Sequence, residues 1–241
     1  MRKLVILVFI GLFIFSCKTA EEKYKYDNYT AVLLRDKEKA LTMIFTKGKA
    51  FNHPTLVVWA EDLQGNYLKT LFITKSYASG IYNYKMIGDS VWEKGSGPSI
   101  QPAALPYWSH KKSADNGIAI IPSPEQPFVD AYTSATPIRD FNFQTKNLDL
   151  DQFRLLVEVN QTWDWNAHWT NNKFPESKAY KHSAQPSLVY VDTINKDESE
   201  FLLKPIGHGD PTGNTGELFL DLSTLSTAKE IFFSIEVVTK H

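Results

Sequence analysis

The sequence predicts an all-β protein, an antiparallel β-sandwich with a long proline-rich crossover segment and few helices. Three observations carry this expectation. Short stretches rich in branched and aromatic residues recur between turn formers, as strands with a buried face do. No stretch keeps a 3.6-residue apolar period long enough for a core helix. Seven of the twelve prolines, at positions 98, 102, 106, 122, 124, 127 and 137, crowd one region, and proline is excluded from central strands.

In chain order, strands are expected at 30–34, 41–46, 55–61, 68–75, 153–160, 188–193, 200–205, 217–222 and 231–239. Between the third and fourth lies Asp62-Leu63-Gln64-Gly65-Asn66, a short loop whose Gly65 suits a positive φ, so these two form a hairpin. Residues 232–238 run apolar in the way of a strand buried on at least one face. Helical signal is confined to a turn within 70–86 and a short piece within 223–230. Few helices among nine strands favour two packed sheets. Between Gly95 and Pro137 the pattern breaks, yet Tyr107, Trp108, Ile118 to Ile121 and Phe128 supply apolar anchors. An irregular segment this long in a folded domain is usually functional, and it is expected to lie ordered across the sandwich.

The N-terminus predicts export. Arg2 and Lys3 precede an apolar run from Leu4 to Phe15 that is too short to span a bilayer comfortably. It ends at Ile14-Phe15-Ser16-Cys17, which resembles the lipobox of bacterial lipoproteins. That resemblance implies a signal peptide over 1–16 and lipidation of Cys17; the charged, polar residues that follow read as a tether over 17–28, and the remaining length as a single domain over 29–241. An uncleaved anchor is the alternative. The implied address is the envelope of a Gram-negative bacterium, periplasmic or surface-exposed, with the lipid membrane as a partner. Cys17 is the one cysteine, so disulfides and thiolate metal sites are excluded. Loss of Arg2 and Lys3 leaves 24 basic against 27 acidic residues, a balance that argues against nucleic acid.

Within the crossover stands Asp130-Ala131-Tyr132-Thr133-Ser134-Ala135-Thr136, a hydroxyl-rich phrase without strand-like alternation. It resembles the acceptor motif read by bacterial flavin transferases, which join FMN through its phosphate to the last threonine. By that resemblance Thr136 is the attachment site, and Asp130, Thr133, Ser134 and Ala135 are cofactor-site and recognition positions. The acceptor chain needs only an accessible hydroxyl, because the metal and base of phosphoryl transfer belong to the transferase. Small neighbours leave that hydroxyl uncrowded, and Pro137 biases Thr136 toward an extended shape.

A wider resemblance covers most of 55–239. "TLVVWAEDLQGNYLKTLFITK", "LPYWSHKK", "PEQPFVDAYTSATP" and "FRLLVEVNQTWDWNAHWTNNKFPESKAYKHSAQPSLVYV", in that order, resemble a family of predicted periplasmic proteins classed as domain of unknown function 2271. Its members often sit beside flavin transferases and PepSY-type membrane reductases. The resemblance implies a flavinylated electron carrier or accessory of an extracytoplasmic redox chain, with a flavin transferase and a membrane-bound reductase as partners.

Other candidates are weighed on their residues. Trp163, Trp165 and Trp169 either stack on a ligand, which makes a glycan- or protein-binding envelope lipoprotein the alternative function, or close the core. His53, His110, His168, His182 and His208 are scattered without metal-ligand spacing. The run from His208 to Gly216 lacks the lysine of a phosphate loop and reads as a turn. His110, Lys111, Lys112 and Arg139 are candidates to approach a flavin phosphate. Glu61-Asp62 and the pair Asp149, Asp151 read as solvated turn carboxylates, and no catalytic triad can be assembled.

Overall fold

The computed structural model describes residues 27–30, 39–88, 91–113 and 118–240. The expected signal peptide, Cys17 and most of the expected tether lie outside the described residues. Thirteen strands are described: β1 (Asp27–Thr30), β2 (Ala40–Lys47), β3 (Thr55–Glu61), β4 (Tyr67–Thr74), β5 (Ile81–Gly88), β6 (Val91–Pro98), β7 (Tyr132–Ser134), β8 (Phe141–Lys146), β9 (Gln152–Asn160), β10 (Leu188–Asn195), β11 (Glu200–Leu202), β12 (Lys204–His208) and β13 (Phe232–Thr239). Three short α-helices accompany them, α1 (Lys75–Ser79), α2 (Pro106–Lys112) and α3 (Lys178–Ser183), with a 3-10 turn at Thr227–Glu230. None of the described helices is long and apolar enough to cross a membrane.

The strands form an all-β sandwich. One sheet runs β1-β8-β2-β13-β11, the other β12-β10-β9-β3-β4-β7, and β5-β6 make a separate hairpin. Pairing is antiparallel except at two edges, where β1 joins β8 and β7 joins β4 in parallel. The sandwich is thus antiparallel as expected, with one parallel pair at an edge of each sheet.

Two apolar layers explain the order. Between the sheets lie Leu41, Met43 and Phe45 of β2, Phe141 and Phe143 of β8, and Phe72, Leu155 and Val157 from the opposite sheet. Phe45 stacks on Phe141 at 4.3 Å, and each phenylalanine fully buried this way contributes about 1.5–3 kcal/mol. The outer face of the six-stranded sheet is covered as well. Val57, Trp59, Ile73, Leu156 and Val189 pack there against Tyr77 and Ala78 of α1, Leu105, Tyr107 and Trp108, and Phe128. Every residue of β3 is buried, which is why its sequence runs apolar instead of alternating. The proline-rich segment thus forms a third layer, held by the anchors its sequence offers.

Most expected strands appear within a residue or two of their places, and the β3–β4 hairpin forms with Gly65 at φ 84°. Four stretches differ from expectation. The expected strand at 200–205 divides, because β11 pairs with β13 in one sheet and β12 with β10 in the other. The chain changes sheet at buried Leu203, and Pro205 is tolerated because β12 is an edge. The expected strand at 217–222 forms no ladder among the described residues; it makes one bridge, His208 to Phe219, and leaves Leu220 exposed. The expected strand at 30–34 falls mainly outside the described residues, and β1 begins at Asp27, inside the expected tether. In the crossover, α2 starts on Pro106 at its first turn, where a missing N–H costs nothing; seven residues are too few to show a helical period.

Candidate functional site

The hydroxyl-rich phrase does form a strand. Tyr132, Thr133 and Ser134 pair with Phe72, Ile73 and Thr74, which makes β7 the outermost strand beside β4. Three residues are too few for alternation to be visible in sequence, and a short edge strand also limits unwanted pairing. Both flanks are pinned. On one side Phe128 is buried, donates its N–H to the Ala78 carbonyl at 2.7 Å and sets its ring edge-on to Trp108 at 5.2 Å. On the other side Pro137 is buried.

Between these pins the segment is accessible. Asp130 and Ala135 are exposed, while Thr133, Ser134 and Thr136 are half-buried. The Thr136 hydroxyl lies 3.4 Å from the Ser76 hydroxyl of α1, with either oxygen able to donate. That is a long, weak bond, readily exchanged for a bond to a group esterified on Thr136. A hydroxyl that is reachable, uncrowded and lightly held fits a covalently attached phosphate. Beside β7 lies an open groove of about 500 Å³ that Thr145 of β8 also lines. Lys69, Thr70, Asp130, Tyr132, Thr133 and Thr145 contribute to its walls.

The Gly80 turn fixes the helix that carries Ser76. Gly80 ends α1 at φ 64°, and a Cβ there would meet Ser123 Cα at 2.7 Å and Pro124 Cδ at 2.8 Å. Gly80→Ala is expected to cost about 1–3 kcal/mol, read as a lowered denaturant midpoint with an unchanged slope. A wild-type midpoint would show that the crossover does not press on α1.

The basic candidates are mostly engaged elsewhere. Lys111 donates to the Gly65 carbonyl at 2.9 Å and lies 5.5 Å from the centre of the Tyr107 ring. Lys112 stands over the rings of Tyr67 at 4.7 Å and Phe128 at 5.7 Å. His110 Nδ1 is 2.9 Å from the Pro106 carbonyl oxygen, and Arg139 is half-buried three residues beyond Thr136. Among the described residues, no group of three or more metal-ligating side chains is placed to hold a metal.

The tryptophan loop separates into unlike parts. Trp169 is buried and donates to Thr224 Oγ1 at 3.2 Å, and Trp165 sits edge-on to Tyr180 at 5.5 Å. Asn166 shapes the loop by accepting from the N–H groups of His168 and Trp169 and donating to the Thr224 carbonyl. Burial pushes the Asp164 carboxyl up to about 7, against the lowering pull of its hydrogen bond from the Gln185 N–H. Trp163 alone of the three is 49% exposed, held at φ 62° with its ring edge-on to Tyr84 at 6.5 Å.

Two carboxylates are buried against the expectation from local sequence. Glu61 is fully buried, not a solvated turn residue: it accepts from Trp59 Nε1 at 3.1 Å and Arg154 Nη1 at 2.8 Å, with Lys111 Nζ 4.0 Å away. Its partner Arg154 stands opposite it in the β3–β9 ladder. Asp149 is exposed, as expected, and exposed Asp151 pairs with Lys196 at 2.9 Å. Glu158 is also fully buried, accepting from the N–H groups of Tyr107 at 3.1 Å and Trp108 at 2.8 Å and from Ser187 Oγ. It caps the start of α2 from a strand fifty residues away. A lone acid inside the apolar run Leu155-Leu156-Val157-Glu158-Val159 was the signal that could have found it.

Fold and site together define an all-β sandwich with a small hydroxyl-bearing strand displayed at one edge. No family model, no curated protein and no solved structure matches the chain.

Proposed function

We propose that this chain is an exported, lipid-anchored flavoprotein that carries FMN through its phosphate on Thr136 and serves as an electron carrier or accessory in an extracytoplasmic redox chain. One observation carries the reading: the last threonine of the acceptor-like phrase stands half-buried just past an edge strand, with buried Pro137 behind it and a lightly held hydroxyl. The bound flavin would supply the redox chemistry. Ser76 Oγ, 3.4 Å from the Thr136 hydroxyl, would be the side chain to donate to an oxygen of an attached phosphate. Exposed Asp130 and Ala135 remain available to a modifying transferase. Anchoring through Cys17 would keep the domain near a membrane-bound reductase, where a tethered flavin acts at high effective concentration.

Coexpression with an active flavin transferase is expected to add an FMN-sized mass to the peptide containing Thr136. Thr136→Ala should lose that mass entirely while changing stability by no more than about 0.5 kcal/mol. A wild-type chain without the increment, or a Thr136→Ala chain that keeps it, overturns the assignment.

A second reading, an envelope lipoprotein that binds a glycan or a protein, is favoured by exposed Trp163 beside exposed Tyr84. With Trp165 and Trp169 packed inward, it narrows to one ring. It requires Trp163→Ala to abolish binding and Thr136→Ala to leave binding intact.

A further inference from the structure

The groove beside β7 offers more than an empty edge, and resting on the flavoprotein reading above, we propose that it is the seat of the isoalloxazine ring. The ring would lie along the open side of the sandwich against Tyr132, with Lys69 at its polar end.

Position comes first. Thr133 lines the groove and precedes Thr136 by three residues, a span of about 10 Å for extended chain. A ribityl phosphate arm of single bonds also reaches about 8–10 Å, so a flavin tethered at Thr136 delivers its ring to the groove without rearranging the fold. The groove, about 500 Å³ and open to solvent, has room for a flat tricyclic ring laid along its wall.

The lining suits such a ring. Tyr132 is half-buried, with its ring stacked on Phe143 at 6.0 Å and tilted on Phe72 at 6.1 Å. A tyrosine braced by two core rings is a rigid wall that loses little freedom when another aromatic packs on it. Buried Thr70 and Thr145 close the groove's floor from the two sheets. Lys69 is exposed and is the one cationic side chain among the groove's lining residues, with Asp130 as the acidic one. The pyrimidine edge of a flavin gathers negative charge on reduction, so an ammonium near it favours the reduced form. Thr70 is itself fixed, since its hydroxyl accepts from Trp108 Nε1 at 2.9 Å. The wall that bears Lys69 is thereby tied to the buried outer layer.

The test uses the full chain loaded by coexpression with a flavin transferase, with loading confirmed by intact mass. Flavin fluorescence, its anisotropy and the midpoint potential are then measured on wild type, Lys69→Gln, Lys69→Arg and Tyr132→Leu. The wild-type flavin is expected to be quenched and nearly as slow to tumble as the protein. Tyr132→Leu should raise fluorescence several-fold and lower anisotropy. Lys69→Gln, a change at an exposed side chain that spares the fold, should shift the potential negative, and Lys69→Arg should restore it. A loaded wild-type chain whose flavin tumbles freely, or a Lys69→Gln potential equal to wild type, overturns the ring site while leaving attachment intact. A chain that acquires no flavin overturns the attachment reading, and the ring site with it.

Discussion

Trp108→Ala is expected to lower the unfolding free energy by about 3–5 kcal/mol, the cost of emptying a fully buried tryptophan site. Trp108 has no exposed surface, sets its ring against Phe128 at 5.2 Å and Tyr77 at 6.2 Å, and donates Nε1 to Thr70. Its loss removes the central anchor holding the proline-rich layer on the outer face of the six-stranded sheet. Because Phe128 leads directly into the β7 segment, the same change should also make residues 118–137 easier to cleave with protease under native conditions. Trp108→Phe should recover part of the stability, since an aromatic ring remains although the hydrogen bond to Thr70 does not. Denaturant unfolding provides the measurement. A loss below about 1 kcal/mol, typical of a surface change, would mean that the crossover only rests on the sheet.

Glu158 supplies the second large effect, through pH. Burial pushes its carboxyl up from 4.5 to about 7, outweighing the hydrogen bonds from Ser187, Trp108 and Tyr107 that favour the charged form. In the folded chain the group therefore keeps its proton at a pH where the unfolded chain has released it. The resulting stabilisation is fully present below about pH 4.5 and is lost as pH rises through about 7, a swing on the order of 3 kcal/mol. Asp164 acts in the same sense, whereas burial holds His182 and His208 below their usual range and so acts oppositely. Comparing wild type with Glu158→Gln isolates the one carboxyl. The variant is expected to gain stability relative to wild type as pH rises from about 5 to about 8. Parallel stability curves across that window would show that Glu158 stays ionised in the folded state.

The two effects meet in one piece of architecture. Glu158 binds the N–H groups that open α2, and Trp108 is the largest of the helix's buried side chains. Together they fasten the crossover whose far end displays the proposed attachment site. Stability in this layer and presentation of Thr136 are accordingly coupled, although no residue is shared between the functions.

Much of the fold was legible in local pattern. β2, β3, β4, β9, β10 and β13 lie where branched and aromatic runs place them, and Tyr107, Trp108 and Phe128 are the anchors that the irregular segment's sequence offers. β8 carries a local signal too, since Phe141, Phe143 and Thr145 alternate inward with polar neighbours, although it is short and lies directly after the proline-rich segment. The acceptor-like phrase was readable as a motif because it is local. Its strand was not, because three residues carry too little pattern and gain their order from β4, sixty residues earlier.

The sequence by itself determined the β class, the hairpin at Gly65 and the phrase from Asp130 to Thr136, all of which depend on neighbours within a few residues. Only the tertiary structure decided that Glu61 and Glu158 are buried, that residues 200–208 split between two sheets, that two tryptophans turn inward while Trp163 stays out, and that a groove opens beside β7. The physical reason is that burial and pairing belong to surfaces made by distant segments. An acid in an apolar strand looks the same in sequence whether water or an Arg154 guanidinium awaits it.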